Sequence, residues 1–170
     1  MSLVIREMTV GEINILIDYF HDATPEHLET LGVDPSRLPT REHWHERYVG
    51  EYGKPIQDRS TLLVLWELDG VGVGFSTSDK IVYGVQAHMH LHVVDPQRRR
   101  SGLGSACVRE TVKLYFKLLA LNRLYCEPNA FNIAPNRTLQ SAGFTYVKTY
   151  TTVPGPLNYH QAVTRWVLER

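Results

Sequence analysis

A chain of 170 residues with 43% hydrophobic and 21% charged side chains is long enough to bury a core without metals or disulfides. Its 18 basic and 18 acidic residues balance, which excludes a general electrostatic pull toward nucleic acid or an anionic membrane. No apolar run approaches the roughly 20 residues that span a bilayer, and Met1–Glu7 lacks the pattern of a signal peptide.

In chain order, Leu3 to Met8 reads as a short strand. Thr9 then caps a helix in which Ile13, Leu16, Ile17 and Phe20 recur at helical spacing. Thr24-Pro25-Glu26 has the form of a second helix start, with proline at the first helical position. Gly32 and the stretch from Pro35 to Pro39 break the chain, and a third helical piece runs from about Arg41 to Tyr52. Thr61 to Leu68 is a strand, and Asp69-Gly70 signals a tight hairpin into Val71 to Ser76. Ala87 to Val94 is another strand, followed by a helix over Ser105 to Leu119 with a broad apolar face. A short strand at Arg123 to Glu127 precedes a helix from about Ala134 to Ser141, ended by Gly143. Two last strands, Thr145 to Thr151 and Gln161 to Leu168, bracket Pro154-Gly155-Pro156. This order predicts a mixed sheet with helices on both faces, neither a repeat nor a regular Rossmann alternation. Cys107 and Cys126 lack CxxC spacing and fall on a helix and a strand that should pack together, so they read as buried small hydrophobes in a reducing compartment.

The stretch from Asp95 to Ser105 carries the most chemistry. A strand ends at Asp95-Pro96, arginines cluster at 98–100, and Gly102-Leu103-Gly104-Ser105 opens a helix. Glycines allow backbone N–H groups to approach a phosphate closely, a helix N-terminus adds positive partial charge, and Arg99 and Arg100 add charge-assisted bonds. An isolated Gly-x-Gly is more often a plain turn and helix start. Here the surroundings add to it. Val94-Asp95-Pro96 followed by Arg99-x-x-Gly102-x-Gly104 resembles the coenzyme A signature of the GNAT (Gcn5-related N-acetyltransferase) superfamily. Asn132, eleven residues before Gly143-Phe144, resembles its second landmark, and the hairpin at Asp69-Gly70 leading to Val73-Gly74-Phe75 looks like its second and third strands.

The resemblance implies an α/β (mixed α+β) GNAT acyl-CoA N-acyltransferase fold with a mixed sheet of about seven strands, forming one domain over residues 1–170. It also implies acetyl-CoA as co-substrate and no metal cofactor. The pantetheine arm would pair with backbone groups of His92, Val93 and Val94 as an added strand. The pyrophosphate would rest on N–H groups of Arg100, Ser101, Gly102, Leu103, Gly104 and Ser105, with Arg99 beside it, and Asn132 and Asn136 would reach the far side of the arm. The strand would have to splay from its neighbour near Cys126 to admit the arm, and the segment 22–56 would border the acceptor.

The triplet His88-x-His90-x-His92 places three imidazoles on one face of a strand, about 6.6 Å apart. They read as polar groups on a wet strand, as part of a metal site lacking an obvious completing ligand, or as a general base for an amine that arrives protonated. Ala87-His88-Met89-His90 is similar to the paired-histidine strand of the serotonin N-acetyltransferase branch of the family, which selects His88 and His90 as catalytic. Many members carry Tyr four residues before the Gly of Gly-Phe as general acid; here that position is Leu139, and Tyr125, Tyr146 and Tyr150 are the available substitutes. The expected function is transfer of acetyl from acetyl-CoA to a primary amine of a small molecule or peptide in the cytoplasm, without nucleic acid or membrane partner and with a homodimer allowed. The alternatives are an inactive acyl-CoA-binding module and a metal-binding protein using the histidine strand.

Overall fold

The computed structural model describes residues 2–94 and 102–170, so the expected contacts of Arg99, Arg100 and Ser101 lie outside the described residues. Strand β1 is Leu3–Glu7, and after a short turn at Val10–Glu12 come α1 (Ile13–His21), α2 (Pro25–Leu31) and α3 (Arg41–Tyr52). Then follow β2 (Leu62–Leu68), β3 (Val71–Val82), β4 (Gln86–Val93) and α4 (Leu103–Leu118). The chain finishes with β5 (Arg123–Cys126), α5 (Ile133–Ser141), β6 (Thr145–Thr152) and β7 (Gln161–Glu169). The seven strands form one sheet in the order β1-β2-β3-β4-β5-β7-β6. Only β4 and β5 pair in parallel, because α4 carries the chain across between them; every other neighbouring pair is antiparallel. The expected mixed α/β architecture is the one observed.

Two cores lie on opposite faces of the sheet. On one, Val64, Trp66, Ala87, Met89, Leu124 and Cys126 pack against Val108, Val112 and Tyr115 of α4. Trp66 donates its indole N–H to Thr111 Oγ1 at 2.8 Å, so the polar tip of this buried ring is satisfied. On the other face Leu63, Leu65 and Phe75 meet Ile13, Leu16, Ile17 and Phe20 of α1, the four residues whose spacing predicts that helix. Helix α2 starts as its sequence directs: Thr24 Oγ1 accepts from the His27 N–H at 3.2 Å, and Gly32 stops it in the left-handed region at φ 71°.

One element departs from expectation. Strand β3 runs to Val82 rather than ending at Ser76, pairing Thr77 with His90, Ser78 with Met89 and Asp79 with His88. Thr77 and Asp79 stand on the face of His90 and His88, whereas Ser76 and Ser78 are buried on the α4 face, where Ser76 Oγ accepts from the Tyr115 hydroxyl at 3.0 Å.

Candidate functional site

Strand β4 is paired on its two sides over different lengths. With β3 the ladder reaches Val93, whereas with β5 it covers only Gln86–Met89 opposite Arg123–Cys126. Beyond Cys126 the chain leaves β4 and follows β7: Asn129 bridges Val163, the Ala130 N–H donates to Ala162 O at 2.9 Å, and Pro128 O accepts from the Thr164 N–H at 3.1 Å. Pro128 has no N–H to continue a ladder with β4. The two parallel strands therefore part after Met89. The Val94 N–H donates to Val73 O at 3.0 Å, so Val94 and, by strand alternation, His92 turn their backbone groups toward β3. Leu91 and Val93 face the opening instead, so of the three expected backbone contacts only Val93 points into it.

Helix α4 begins beside this opening. Gly102 precedes it at φ 79°, a conformation that favours glycine. The first bond within the helix runs from the Ala106 N–H to Gly102 O at 3.3 Å, so the N–H groups of Leu103, Gly104 and Ser105 have no acceptor within the helix. Among the described residues, a side chain at Gly104 would meet only Thr138 of α5, at an ordinary 3.7 Å. Packing among the described residues therefore does not demand a glycine at 104, whereas close approach of an anion to the helix end would. These residues fit a coenzyme A pyrophosphate.

Asn132 immediately precedes α5 and makes no side-chain capping bond to it. Asn136 is already engaged at both ends of its amide. Its Nδ2 donates to Asn129 O (3.1 Å) and Asn132 O (2.8 Å), and its Oδ1 accepts from Trp166 Nε1 (2.8 Å). Its place is to fasten the turn, rather than to reach out as expected.

The three histidines share the α1–α3 face but not one environment. The His92 ring lies within 4.9, 5.0 and 5.1 Å of the Phe75, Tyr19 and Phe20 rings, centroid to centroid. Its Nδ1 is buried without a hydrogen-bond partner among the described residues, and burial drives its pKa down to about 3. His90, about one-third exposed at 33%, has Nε2 3.2 Å from Asp79 Oδ1, an ion-pair distance without hydrogen-bond alignment. Burial pushes the Asp79 carboxyl up, but His90 and Lys80 more than offset this and leave it below the usual range. The His88 side chain is only 11% exposed, with Nδ1 3.8 Å from Glu127 Oε2 and its ring 5.2 Å from Tyr125. Burial first, then the positive charge of Lys80, lower its pKa to about 4. Among the described residues no group of three or more His, Cys, Asp or Glu side chains is arranged to hold a metal ion.

Asp79 and Glu127 are the functional candidates that sequence reasoning missed. Glu127 Oε1 accepts from Arg165 Nε at 2.5 Å and from the Tyr150 hydroxyl, while Arg165 also donates to Tyr150 Oη at 2.9 Å. Two signals could have found them: Asp79 stands across from His88 once β3 is given its full length, and Glu127 lies two residues beyond Tyr125 on the same face. Of the substitute acids, Tyr150 is held in this network with its pKa raised by burial and by Glu127. The Tyr146 hydroxyl donates to Thr149 on β6 at 3.2 Å, and Tyr125 Oη accepts from Arg123 at 3.4 Å. Leu139 is fully buried in the α4-side core.

The acetyltransferase (GNAT) family matches this chain over residues 15–144. No curated protein matches it. Among solved structures, aminoglycoside acetyltransferase AAC(6')-Ib in complex with coenzyme A and kanamycin is 19% identical, with 99% of this chain and 95% of that one covered at a TM-score of 0.73. Spermidine N-acetyltransferase from Vibrio cholerae with CoA and spermine is 14% identical, covering 98% and 95% at 0.79. RimL, a ribosomal L7/L12 alpha-N-protein acetyltransferase in complex with coenzyme A, is 13% identical, covering 99% and 94% at 0.77. At these identities the likeness establishes the fold.

Proposed function

The chain belongs to the acetyltransferase (GNAT) family, and from that premise we propose that it moves an acetyl group from acetyl-CoA to a primary amine of a small molecule or peptide by direct attack on the thioester. The observation that carries the reading is the parting of β4 from β5 after Met89, beside the glycine-flanked start of α4. Phosphate oxygens would lie at the N–H groups of Leu103, Gly104 and Ser105, and the pantetheine arm would enter the opening along Leu91 and Val93, with Asn132 at its far side.

On the opposite side of β4's backbone from α4 lie the groups for the proton. An alkyl amine with a pKa near 10.4 is only roughly a thousandth unprotonated at neutral pH, so the enzyme has to free it. His90 is the better placed acceptor, with Asp79 3.2 Å from its Nε2 to hold the ring. His88, neutral above pH 5 because its pKa is about 4, takes part through hydrogen bonding or a bridging water. No tyrosine is required to protonate the leaving thiolate, since a thiol with a pKa of roughly 8.5 departs readily near neutrality.

The kanamycin and spermine named in the similar structures are polycationic amines. A cationic acceptor suits this chain, in which Asp22, Glu26, Glu29, Asp34, Glu42, Glu46 and Glu51 crowd the helical segment 22–56. The proposal makes the protein a cytoplasmic enzyme of one domain over residues 1–170, compatible with a homodimer. No helix among the described residues is long and apolar enough to cross a membrane.

The test is thiol release from acetyl-CoA with a panel of polyamines, aminoglycosides, amino acids and peptide N-termini. With the best acceptor, the His88→Ala, His90→Ala double variant should lose about 10² or more in rate. A double variant with an unchanged rate would leave the histidines structural.

A further inference from the structure

Phe131, 84% exposed, and Ile133, 64% exposed, are the two most exposed large hydrophobic residues among those described, and they flank Asn132 at the start of α5. A loose turn would explain such exposure, but this turn is fastened. The Phe131 N–H donates to Asn129 Oδ1 at 2.9 Å and the Asn132 N–H to Asn129 O at 3.1 Å. Asn136 clamps Asn129 O and Asn132 O together and is itself held by Trp166. Ala130 is tied to β7 through its N–H. The phenyl ring is thus presented to solvent by a backbone that has little freedom to withdraw it.

The place of the turn says what it meets. Residues 127–132 form the lip of the opening that faces β4, since this is where the chain abandons β4 for β7. The helix that starts here touches the beginning of α4, with Thr138 beside Gly104. A molecule held by its phosphates at α4 and extending into the opening therefore passes the first turn of α5. From Ala130 to Pro135 the sequence is Ala-Phe-Asn-Ile-Ala-Pro, without a charge. Such a stretch suits alkyl and amide groups, not phosphate or an ammonium ion.

We infer that Phe131, with Ile133 beside it, is a cofactor-binding lip that packs on the alkyl and amide arm of the acyl-thioester and closes it into the opening between β4 and β5. This rests on the acetyl-CoA reading above and adds to it a residue that senses the arm rather than the nucleotide. The occupant would cover the exposed ring, so the free protein carries an apolar surface that the loaded protein does not.

Calorimetric titration separates this inference from the reading beneath it. The wild type, Phe131→Ala and Phe131→Leu are titrated with coenzyme A and with adenosine 3′,5′-bisphosphate, which keeps the nucleotide but lacks the arm. Phe131→Ala should weaken coenzyme A about tenfold, Phe131→Leu only about two- to threefold, and neither should change the bisphosphate. Because the ring faces solvent, the thermal midpoint should stay unchanged. An unchanged coenzyme A affinity in Phe131→Ala would overturn the inference while leaving the cofactor reading intact. An equal loss for the bisphosphate would put the ring on the nucleotide, and a raised acceptor KM with normal coenzyme A binding would put it on the acceptor; either result refutes the arm assignment. A wild type that binds no coenzyme A would refute the reading itself, and this inference with it.

Discussion

The three histidines of β4 illustrate how much one alternating strand can vary from residue to residue. His92 and His88 have pKa values of about 3 and about 4 in the fold, below the ordinary 6.5, chiefly because burial disfavours the imidazolium. Below pH 6.5 the unfolded chain therefore takes up protons that the folded chain refuses. Their contribution to stability is complete above pH 6.5 and is lost as pH falls toward the folded values. At pH 5 each should lower the unfolding free energy by about 2 kcal/mol relative to pH 7.5, which urea midpoints at the two pH values would measure. His92→Phe should remove about half of that acid loss, because phenylalanine suits the ring cluster and has no buried nitrogen left without a partner. A variant as acid-sensitive as the wild type would show that His92 is not the group being protonated. The same low value for His88 sets an expectation for catalysis. Since it is already neutral above pH 6, His88→Ala should lower the rate without altering the shape of the pH–rate profile from pH 6 to 9. A limb displaced by that substitution would mean that His88 titrates in the working range.

At the scale of elements, the sequence was most readable where local pattern and tertiary role agree. Helix α1 follows from four apolar residues at helical spacing, all of them buried, and α2 from Thr24, Pro25 and Gly32 acting at its two ends. The histidine row was legible because strand alternation alone puts residues 88, 90 and 92 on one face. Strand β3 was cut short because Thr77, Ser78 and Asp79 lack the apolar signature of a strand, and with it went the Asp79–His90 pair. Glu127 was missed for a different reason: its partners Arg165 and Tyr150 come from β7 and β6, and no spacing within one segment brings them together. The start of α4 allows a sharper test than its motif did. Gly104 has room for a side chain against Thr138, so Gly104→Val should keep the thermal midpoint within a few degrees while weakening coenzyme A at least tenfold, about 1.4 kcal/mol. Gly102→Val should instead destabilise the protein, because φ 79° strains any branched side chain. Equal binding by Gly104→Val and wild type would remove the phosphate site from the start of α4.

Across the whole molecule, the helical layer of α1–α3 is joined to the far half of the sheet through the segment between β6 and β7. The Asp34 N–H donates to Leu157 O at 2.8 Å, Asn158 Nδ2 to Gly32 O at 2.9 Å, and the Tyr159 hydroxyl to Glu29 O at 3.1 Å. Lys80 on β3 donates to Pro154 O at 2.8 Å, so the same segment is also tied to the hairpin that carries Asp79. This strap closes a ring around the face bearing His88, His90 and Glu127, on the side away from α4 and its phosphate site. If the acceptor enters on this face, loosening the strap should disturb the acceptor and spare the cofactor. The Asn158→Ala, Tyr159→Phe double variant deletes two side-chain bonds to the end of α2 but leaves the Asn129–Asn136 turn untouched. At about 1 kcal/mol per bond, about 2 kcal/mol in all, it should lower the thermal midpoint by about 4–8 °C. Its acceptor KM should rise several-fold while coenzyme A affinity stays within about twofold of wild type, since both deleted bonds end on α2 and its stop, and Gln161, which joins Gly32 O to Asn129, is kept. A lower midpoint with both constants unchanged would mean that the strap only holds the layers together and that the acceptor does not lie beneath it. A weakened coenzyme A with a normal acceptor KM would reverse the assignment of the two faces, because the cofactor would then be the molecule the strap encloses.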